Sequence, residues 1–207
     1  MPERGTAAVN REVFQNAYAG SAPWDIGKPQ AALLAAADRI GGSVLDVGCG
    51  TGEHALFFAG RGCKVTGIDF LEPPIVAARQ KAAQRGLGVT FLVADALKLR
   101  EWTERFDNVL DSGLFHVFDD DGRARYIEGL TTVTKPGGRL FLLCFSDKTP
   151  GSEGPRRVTE KELRDSFADG WEIESIEASR FEVRPDAKPR FEGGEPKAWF
   201  LIARRSA

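Results

Sequence analysis

The chain has 207 residues, 42% hydrophobic and 28% charged, which is enough for one globular domain with a real core and too little for two comfortable ones. Its 28 Lys and Arg stand against 30 Asp and Glu, divided as 17 against 18 in residues 1–150 and 11 against 12 in 151–207. Coating nucleic acid requires an excess of cations to neutralise phosphates, so small or neutral partners are expected instead. No run approaches the roughly 20 apolar residues of a membrane span, and the first five residues begin no apolar secretory core. A soluble, cytoplasmic protein is expected, as monomer or homodimer.

Short β-branched runs alternate with alanine-rich stretches, the pattern of βαβ units and a parallel sheet. Helices are expected over 9–19 and 29–39, a strand over Val44–Val47, a helix over Glu53–Arg61 and a strand over Lys64–Ile68. A helix over Pro73–Arg85 has its prolines in the first turn, where they fit best. Strands follow at Val89–Val93 and Phe106–Leu110, then a helix over Asp121–Thr134. A strongly apolar strand, Arg139–Phe145, comes after a turn at Pro136-Gly137-Gly138.

Beyond residue 146 the pattern changes. Asp147–Pro155 is rich in turn formers and charges and reads as a loop. Thr159 opens a helix to Phe167, with Glu162 placed to complete a capping box. Trp171–Val183 and Ala198–Ala203 are expected as an antiparallel pair closing the sheet, separated by the Pro/Gly-rich stretch Arg184–Lys197. The chain thus divides into residues 1–40, residues 41–146 and a closing unit, 147–207. Cys49, Cys63 and Cys144 are odd in number and widely spaced, which suggests reduced thiols and neither a disulfide framework nor a metal site.

Ser43-Val44-Leu45-Asp46-Val47-Gly48-Cys49-Gly50-Thr51-Gly52-Glu53-His54 is a buried strand that runs into three alternate glycines and then a helix. Glycine there permits positive φ and lets a ligand approach the backbone. In a parallel sheet this turn lies at the carboxyl end of the strands, beside the crevice where ligands bind. The third glycine of a dinucleotide fingerprint would fall at Glu53. The Lys-Ser/Thr of a P-loop is replaced by Glu53-His54. Carboxylates around the turn repel a pyrophosphate and suit a ligand bearing an ammonium group, which points to S-adenosyl-L-methionine.

VLDVGCGTGEHALFFA resembles the first motif of the class I, Rossmann-like S-adenosylmethionine-dependent methyltransferases. VTGIDF, VADALKL, FDNVLDSGLFHVF and KPGGRLFLL follow in the order of that family's later motifs. The resemblance implies a seven-stranded α/β sheet of order 3-2-1-4-5-7-6, strand 7 antiparallel, with helices on both faces. It implies that Asp69 receives the ribose hydroxyls and that Asp95 contacts the adenine amine. The stretch Tyr18–Gln30, with its Trp24-Asp25 pair, is similar to the N-terminal helical lid of the thiol, thiopurine, halide and small-heterocycle branch. That likeness implies that Trp24 packs on the cofactor.

The expected cofactor set therefore comprises Gly48, Gly50, Thr51 and Gly52 of the turn, His54 after it, and Trp24 above it. Asp46 either orients the turn or meets the methionine ammonium. Asp69 with Phe70, Asp95 with Ala96, and Asp111 complete the set. Phe14, Tyr18, Phe115, His116 and Phe118 are expected to line an acceptor pocket, and His116 is the candidate base, since imidazole titrates near neutrality. Methyl transfer from a sulfonium is an in-line displacement that gains much from proximity and orientation. The expected acceptor is an N, S or O atom of a small aromatic heterocycle. The alternatives are an RNA or protein methyltransferase and a non-catalytic cofactor-binding module.

Overall fold

The computed structural model describes residues 11–20, 22–151, 154–191 and 195–207. A seven-stranded sheet has the order β3-β2-β1-β4-β5-β7-β6. The strands are β1 (Ser43–Val47), β2 (Lys64–Asp69), β3 (Val89–Val93), β4 (Phe106–Ser112), β5 (Thr134–Phe145), β6 (Trp171–Arg180) and β7 (Lys197–Arg205). β1 to β5 pair in parallel, and β7 runs antiparallel to both β5 and β6. This is the sheet order expected from the sequence.

Among the described residues, six α-helices accompany the strands: α1 (Arg11–Ala19), α2 (Ala31–Ala35), α3 (Glu53–Gly60), α4 (Glu72–Arg85), α5 (Asp120–Val133) and α6 (Glu160–Ser166). Val9 and Asn10, expected to begin the first helix, lie outside the described residues. Thr159 and Glu162 make the reciprocal bonds of a capping box, which satisfies amides that the first turn of α6 leaves open. Pro73 and Pro74 stand in the first turn of α4, and Gly86 closes it in the left-handed conformation.

Alternate residues of the central strands enter two cores, one on each face of the sheet. Leu140 and Leu142 join Leu45, Val47, Phe106, Phe115 and Tyr126 on one face. Phe141 and Leu143 join Val44, Leu33, Phe58, Phe91 and Phe181 on the other. Burial on both sides is why these strands read as continuous apolar runs.

Some boundaries differ from expectation for local reasons. The alanine-rich helix divides into α2 and a 3-10 turn, Ala37–Arg39, as hydrogen bonds tighten to Arg39 N–H→Ala36 and Ile40 N–H→Ala37. Pro136-Gly137-Gly138 forms a bulge within β5 rather than a turn ahead of it, because Phe106 pairs with Thr134 while Asn108 pairs with Arg139. β6 ends at Arg180, and the stretch after it contains a 3-10 turn, Pro185–Arg190.

Candidate active site

The three glycines lie where the strand order reverses, between β1 and β4, at the carboxyl ends of the parallel strands. This is where ligands bind in open α/β sheets. The Cys49 N–H extends the ladder of β1 to the Ile68 carbonyl at 2.8 Å. The chain then turns with φ of +69° at Gly48, +53° at Gly50 and +86° at Gly52. A β-carbon on Gly52 would stand 2.8 Å from the Phe91 ring and 2.9 Å from Ala78, so this glycine sets how closely α3 approaches α4 and β3. A β-carbon on Gly50 would stand 2.6 Å from the Tyr18 hydroxyl, on the face of the turn that opens to the cleft.

Two buried carboxylates hold the turn. Asp46, from within β1, accepts the Ala55 N–H at 3.1 Å and so caps α3, whose N-cap, Gly52, has no side chain to do it. Burial pushes its carboxyl up to about 7, against the pull of that hydrogen bond. Asp69, ending β2, accepts the Gly50 N–H at 3.1 Å and the Leu71 N–H at 3.0 Å. Burial raises its pKa too, while the backbone amides oppose the shift.

The lid lies over this floor. Phe14 and Tyr18, one helical turn apart on α1, flank Trp24 with ring centroids 5.6 and 5.9 Å away. Trp24 Nε1 donates to the Tyr18 hydroxyl at 3.1 Å. Phe14 meets Phe70 edge-on at 5.7 Å, which ties the lid to the end of β2. Thr51 donates to Asp25 at 2.9 Å and accepts from Lys81 at 2.8 Å. His54 Nε2 accepts the Gln30 N–H at 3.1 Å, and burial lowers its pKa to about 4.

The cleft between lid and floor has a volume of about 50 Å³, well below the roughly 300 Å³ of ordinary small-molecule pockets. Its walls combine Tyr18, Trp24, Asp25 and Gln30 of the N-terminal segment with Gly48–Thr51, His54, Ser112 and Phe181. A larger hollow of about 410 Å³, between Arg39, Asp107, Lys135 and Arg139, lies at the amino ends of the strands. Its cations are already paired, Lys135 with Asp107 and both arginines with Glu174. The chemistry of the glycine turn makes the smaller cleft the candidate site.

Several expected site residues are positioned elsewhere. Phe115 is wholly buried on the opposite face of the sheet, beneath the Arg123 guanidinium at 4.3 Å and beside Phe167. Phe118 packs on Tyr126 in the same core. Neither lines the cleft, because the 3-10 turn Phe115–Val117 directs these rings inward. Asp111 is fully buried, with its oxygens taken by the Leu114 and Phe115 amides and the Tyr126 hydroxyl. It holds the loop after β4 rather than reaching the turn, and burial pushes its pKa up to about 7. Asp95 is exposed and accepts the Leu97 N–H at 2.9 Å, while Ala96 beside it is buried.

His116 is also buried, at 4% exposure, and does not line the cleft; its ring packs 4.9 Å from Phe145 and 6.0 Å from Phe181. The expected role of ready base does not fit it. Nδ1 accepts the Phe145 N–H at 2.8 Å, which places the proton of the neutral ring on Nε2. Burial, with Arg123 and Arg157 nearby, lowers its pKa to about 3. The ring is therefore a neutral donor at physiological pH.

The sequence reading assigned no role to Gln30, Ser112, Phe181 or Glu182. Gln30 and Glu182 join segments 152 residues apart, and no periodicity reports such a pairing. Ser112 continues β4 into the cleft two residues beyond the expected strand end. Among the described residues, no group of three His, Cys, Asp or Glu could hold a metal ion, and no helix is long and apolar enough to cross a membrane.

Comparison with known proteins bears on this geometry. The family described as "Methyltransferase domain" matches residues 44–138. The 2-heptyl-1-hydroxyquinolin-4(1H)-one methyltransferase of Mycobacteroides abscessus is 33% identical over 189 residues, covering 85% of this chain and 83% of that protein. A solved chain from work on the conversion of a disulfide bond into a thioacetal group during echinomycin biosynthesis is 40% identical. It superposes with a TM-score of 0.82 over 94% of this chain and 92% of its own. The 1,6-didemethyltoxoflavin-N1-methyltransferase of Burkholderia thailandensis, solved with 1,6-didemethyltoxoflavin and S-adenosylhomocysteine, is 25% identical with a TM-score of 0.75. There the coverage is 100% of this chain and 93% of that one.

Proposed function

Because the chain belongs to the S-adenosylmethionine-dependent methyltransferases, we propose that it methylates an N, S or O atom of a small aromatic heterocycle held between the glycine turn and Phe181. The observation that carries this reading is the cradle at Gly50. A backbone at positive φ faces the cleft beneath the Tyr18 hydroxyl, and the Asp69 carboxylate accepts its N–H. When bound there, S-adenosylmethionine supplies a methyl group on a sulfonium for in-line displacement.

The chain's own residues have separable tasks. Gly48, Gly50, Thr51 and Gly52 give the cofactor its close approach, with Asp46 beneath to keep the turn in shape. Asp69 and Phe70 stand at the ribose side, and Asp95 and Ala96 at the adenine side. Trp24 and Tyr18 cover the cleft and exclude water, which strengthens the orientation effect that drives such displacements. Phe181, with Phe145 behind it, offers a flat apolar wall to a planar acceptor. His116 backs that wall, its Nδ1 taken by the Phe145 N–H and its other side by the Gly113 backbone, and it steadies these rings rather than deprotonating the acceptor.

Support for the heterocycle comes from the relatives, one named for a hydroxyquinolinone and another solved with 1,6-didemethyltoxoflavin. The test is calorimetric titration with S-adenosylhomocysteine, followed by a mass-spectrometric screen of hydroxyquinolinones, thiophenols and nitrogen heterocycles incubated with S-adenosylmethionine. Binding and a gain of one methyl on a member of the screen are expected. No binding of S-adenosylhomocysteine would overturn the function, and methylation confined to tRNA or protein would overturn the acceptor class.

A further inference from the structure

Gln30 is only 2% exposed, and each of its polar groups named here has a partner on a different part of the chain. Its side-chain amide donates to the Glu182 carbonyl at 2.9 Å and accepts the Glu182 N–H at 2.8 Å. The side chain thus pairs with a backbone as one strand pairs with another. Its own N–H goes to His54 Nε2 on α3, directly after the glycine turn, at 3.1 Å. Around this centre the Glu182 carboxylate receives Lys28 at 2.6 Å and the Ala31 N–H at 3.1 Å, and the Arg184 N–H reaches the Pro23 carbonyl at 2.8 Å.

The residue before Glu182 is Phe181, whose ring stands so close to Gly113 that a β-carbon there would be 2.9 Å from it. The Phe181 N–H donates to the Pro196 carbonyl at 2.8 Å, and the adjoining Glu182 is held by Gln30. A single buried residue therefore links the helix that follows the glycine turn, through its backbone N–H, to the segment that carries Phe181, through its side chain. We propose that Gln30 is a positioning residue that keeps the Phe181 wall in register with the cofactor turn, so that loading the cofactor orders the acceptor site. This rests on the reading of the cleft as a methyl-transfer site. It implies that cofactor and acceptor each bind more tightly in the presence of the other, as linkage requires the coupling to be reciprocal.

The test uses the intact protein and S-adenosylhomocysteine as probe, so it does not depend on identifying the acceptor. Hydrogen exchange of segment 181–184 is measured with and without the probe in the wild type, Gln30→Glu and Gln30→Ala. In the wild type, the Glu182 and Arg184 amides are expected to slow about tenfold on binding, within the usual range of coupling between sites. Gln30→Glu keeps an oxygen for the Glu182 N–H, loses the donor to the Glu182 carbonyl, and is expected to weaken that response. Gln30→Ala is expected to abolish it and to raise the dissociation constant of the probe about tenfold. If Gln30→Ala does not fold, Gln30→Glu decides. Probe binding with exchange at 181–184 unchanged in the wild type, or with full coupling retained in the variants, would overturn the proposal alone. Absence of probe binding would remove the proposal together with the function it rests on.

Discussion

The Tyr18 hydroxyl lies over Gly50, 2.6 Å from where a β-carbon would stand. In the proposed reading Tyr18 covers the cleft, and a cofactor lying along the turn is expected to displace it. Replacing Gly50 with Ala puts a β-carbon into that path and forces an L side chain to φ near +53°, which costs of the order of 1 kcal/mol in backbone strain alone. Gly50→Ala is expected to weaken S-adenosylhomocysteine binding at least tenfold in calorimetry, with a smaller loss of thermal stability.

Tyr18→Ala separates the closing role from the floor. Trp24 Nε1 loses its 3.1 Å acceptor, and the roof over Gly50 is gone. Faster association of S-adenosylhomocysteine and faster dissociation are both expected in stopped-flow measurements, together with a lower kcat from a wetter cleft. Unchanged association would show that the lid does not limit entry.

Asp69 bonds two backbone amides, those of Gly50 and Leu71. Asp69→Ala leaves both donors without acceptors, at a cost of roughly 1–3 kcal/mol each where they stay buried. Loss of measurable cofactor binding is expected, with a fall in Tm of several degrees. Asp69→Asn keeps an acceptor oxygen and should recover more of the stability than of the binding. Equal recovery of both would argue that the carboxylate only holds the turn.

His116 makes a pH-dependent contribution whose sign follows from its environment. Its folded pKa is depressed to about 3 from an ordinary 6.5, so the stability it contributes is complete above pH 6.5 and is lost as pH falls toward 3. At about 1.4 kcal/mol per unit, this is at most about 4–5 kcal/mol. His116→Asn should therefore be least favourable relative to wild type at neutral pH, and the gap in Tm should narrow from pH 6.5 to 4. Asp111, raised to about 7, works in the opposite sense. The stability it contributes is present below its ordinary 3.8 and is lost as pH rises through 7, so Asp111→Asn should compare better with wild type at alkaline pH. Gaps that stay constant with pH would contradict these assignments.

Phe115 gives the complementary control. Buried between Arg123 and Phe167, it contributes to the core and not to the cleft. Phe115→Leu should cost about 1–2 kcal/mol in chemical denaturation and leave the KM for the acceptor unchanged. A selective rise in KM would return this ring to the acceptor pocket.

The residues legible in the sequence are those whose role is local. Gly48, Gly50 and Gly52 announce themselves by spacing, Asp69 by ending an apolar strand, and Thr159 with Glu162 by the capping pattern. The sheet order is what the resemblance to the class I methyltransferases implies. Where the reading went astray, the cause lies in three dimensions. Phe115 and His116 are neighbours in a 3-10 turn, yet one enters the core with Tyr126 and the other packs against Phe145 and Phe181 of the opposite core, a division that adjacency in sequence does not reveal. Asp111 looks available because a strand-end carboxylate usually is. The Leu114 and Phe115 amides just after it and the Tyr126 hydroxyl from α5, fifteen residues later, take its oxygens. Gln30 closes against Glu182 across nearly the whole chain, so its importance depends on the finished sheet.

That last pairing also bears on how the molecule assembles. Contacts between distant parts of a chain carry a loop-closure cost and form late relative to local ones. The helices and the glycine turn can take shape while the chain is still short, but the wall at Phe181 has no anchor until β6 and β7 have joined β5 and the segment after β6 has met residue 30. During synthesis or refolding, the capacity to recognise an acceptor should therefore be the last property the protein acquires. A chain ending before residue 181 would lack both Phe181 and β7, the strand that joins β6 to β5.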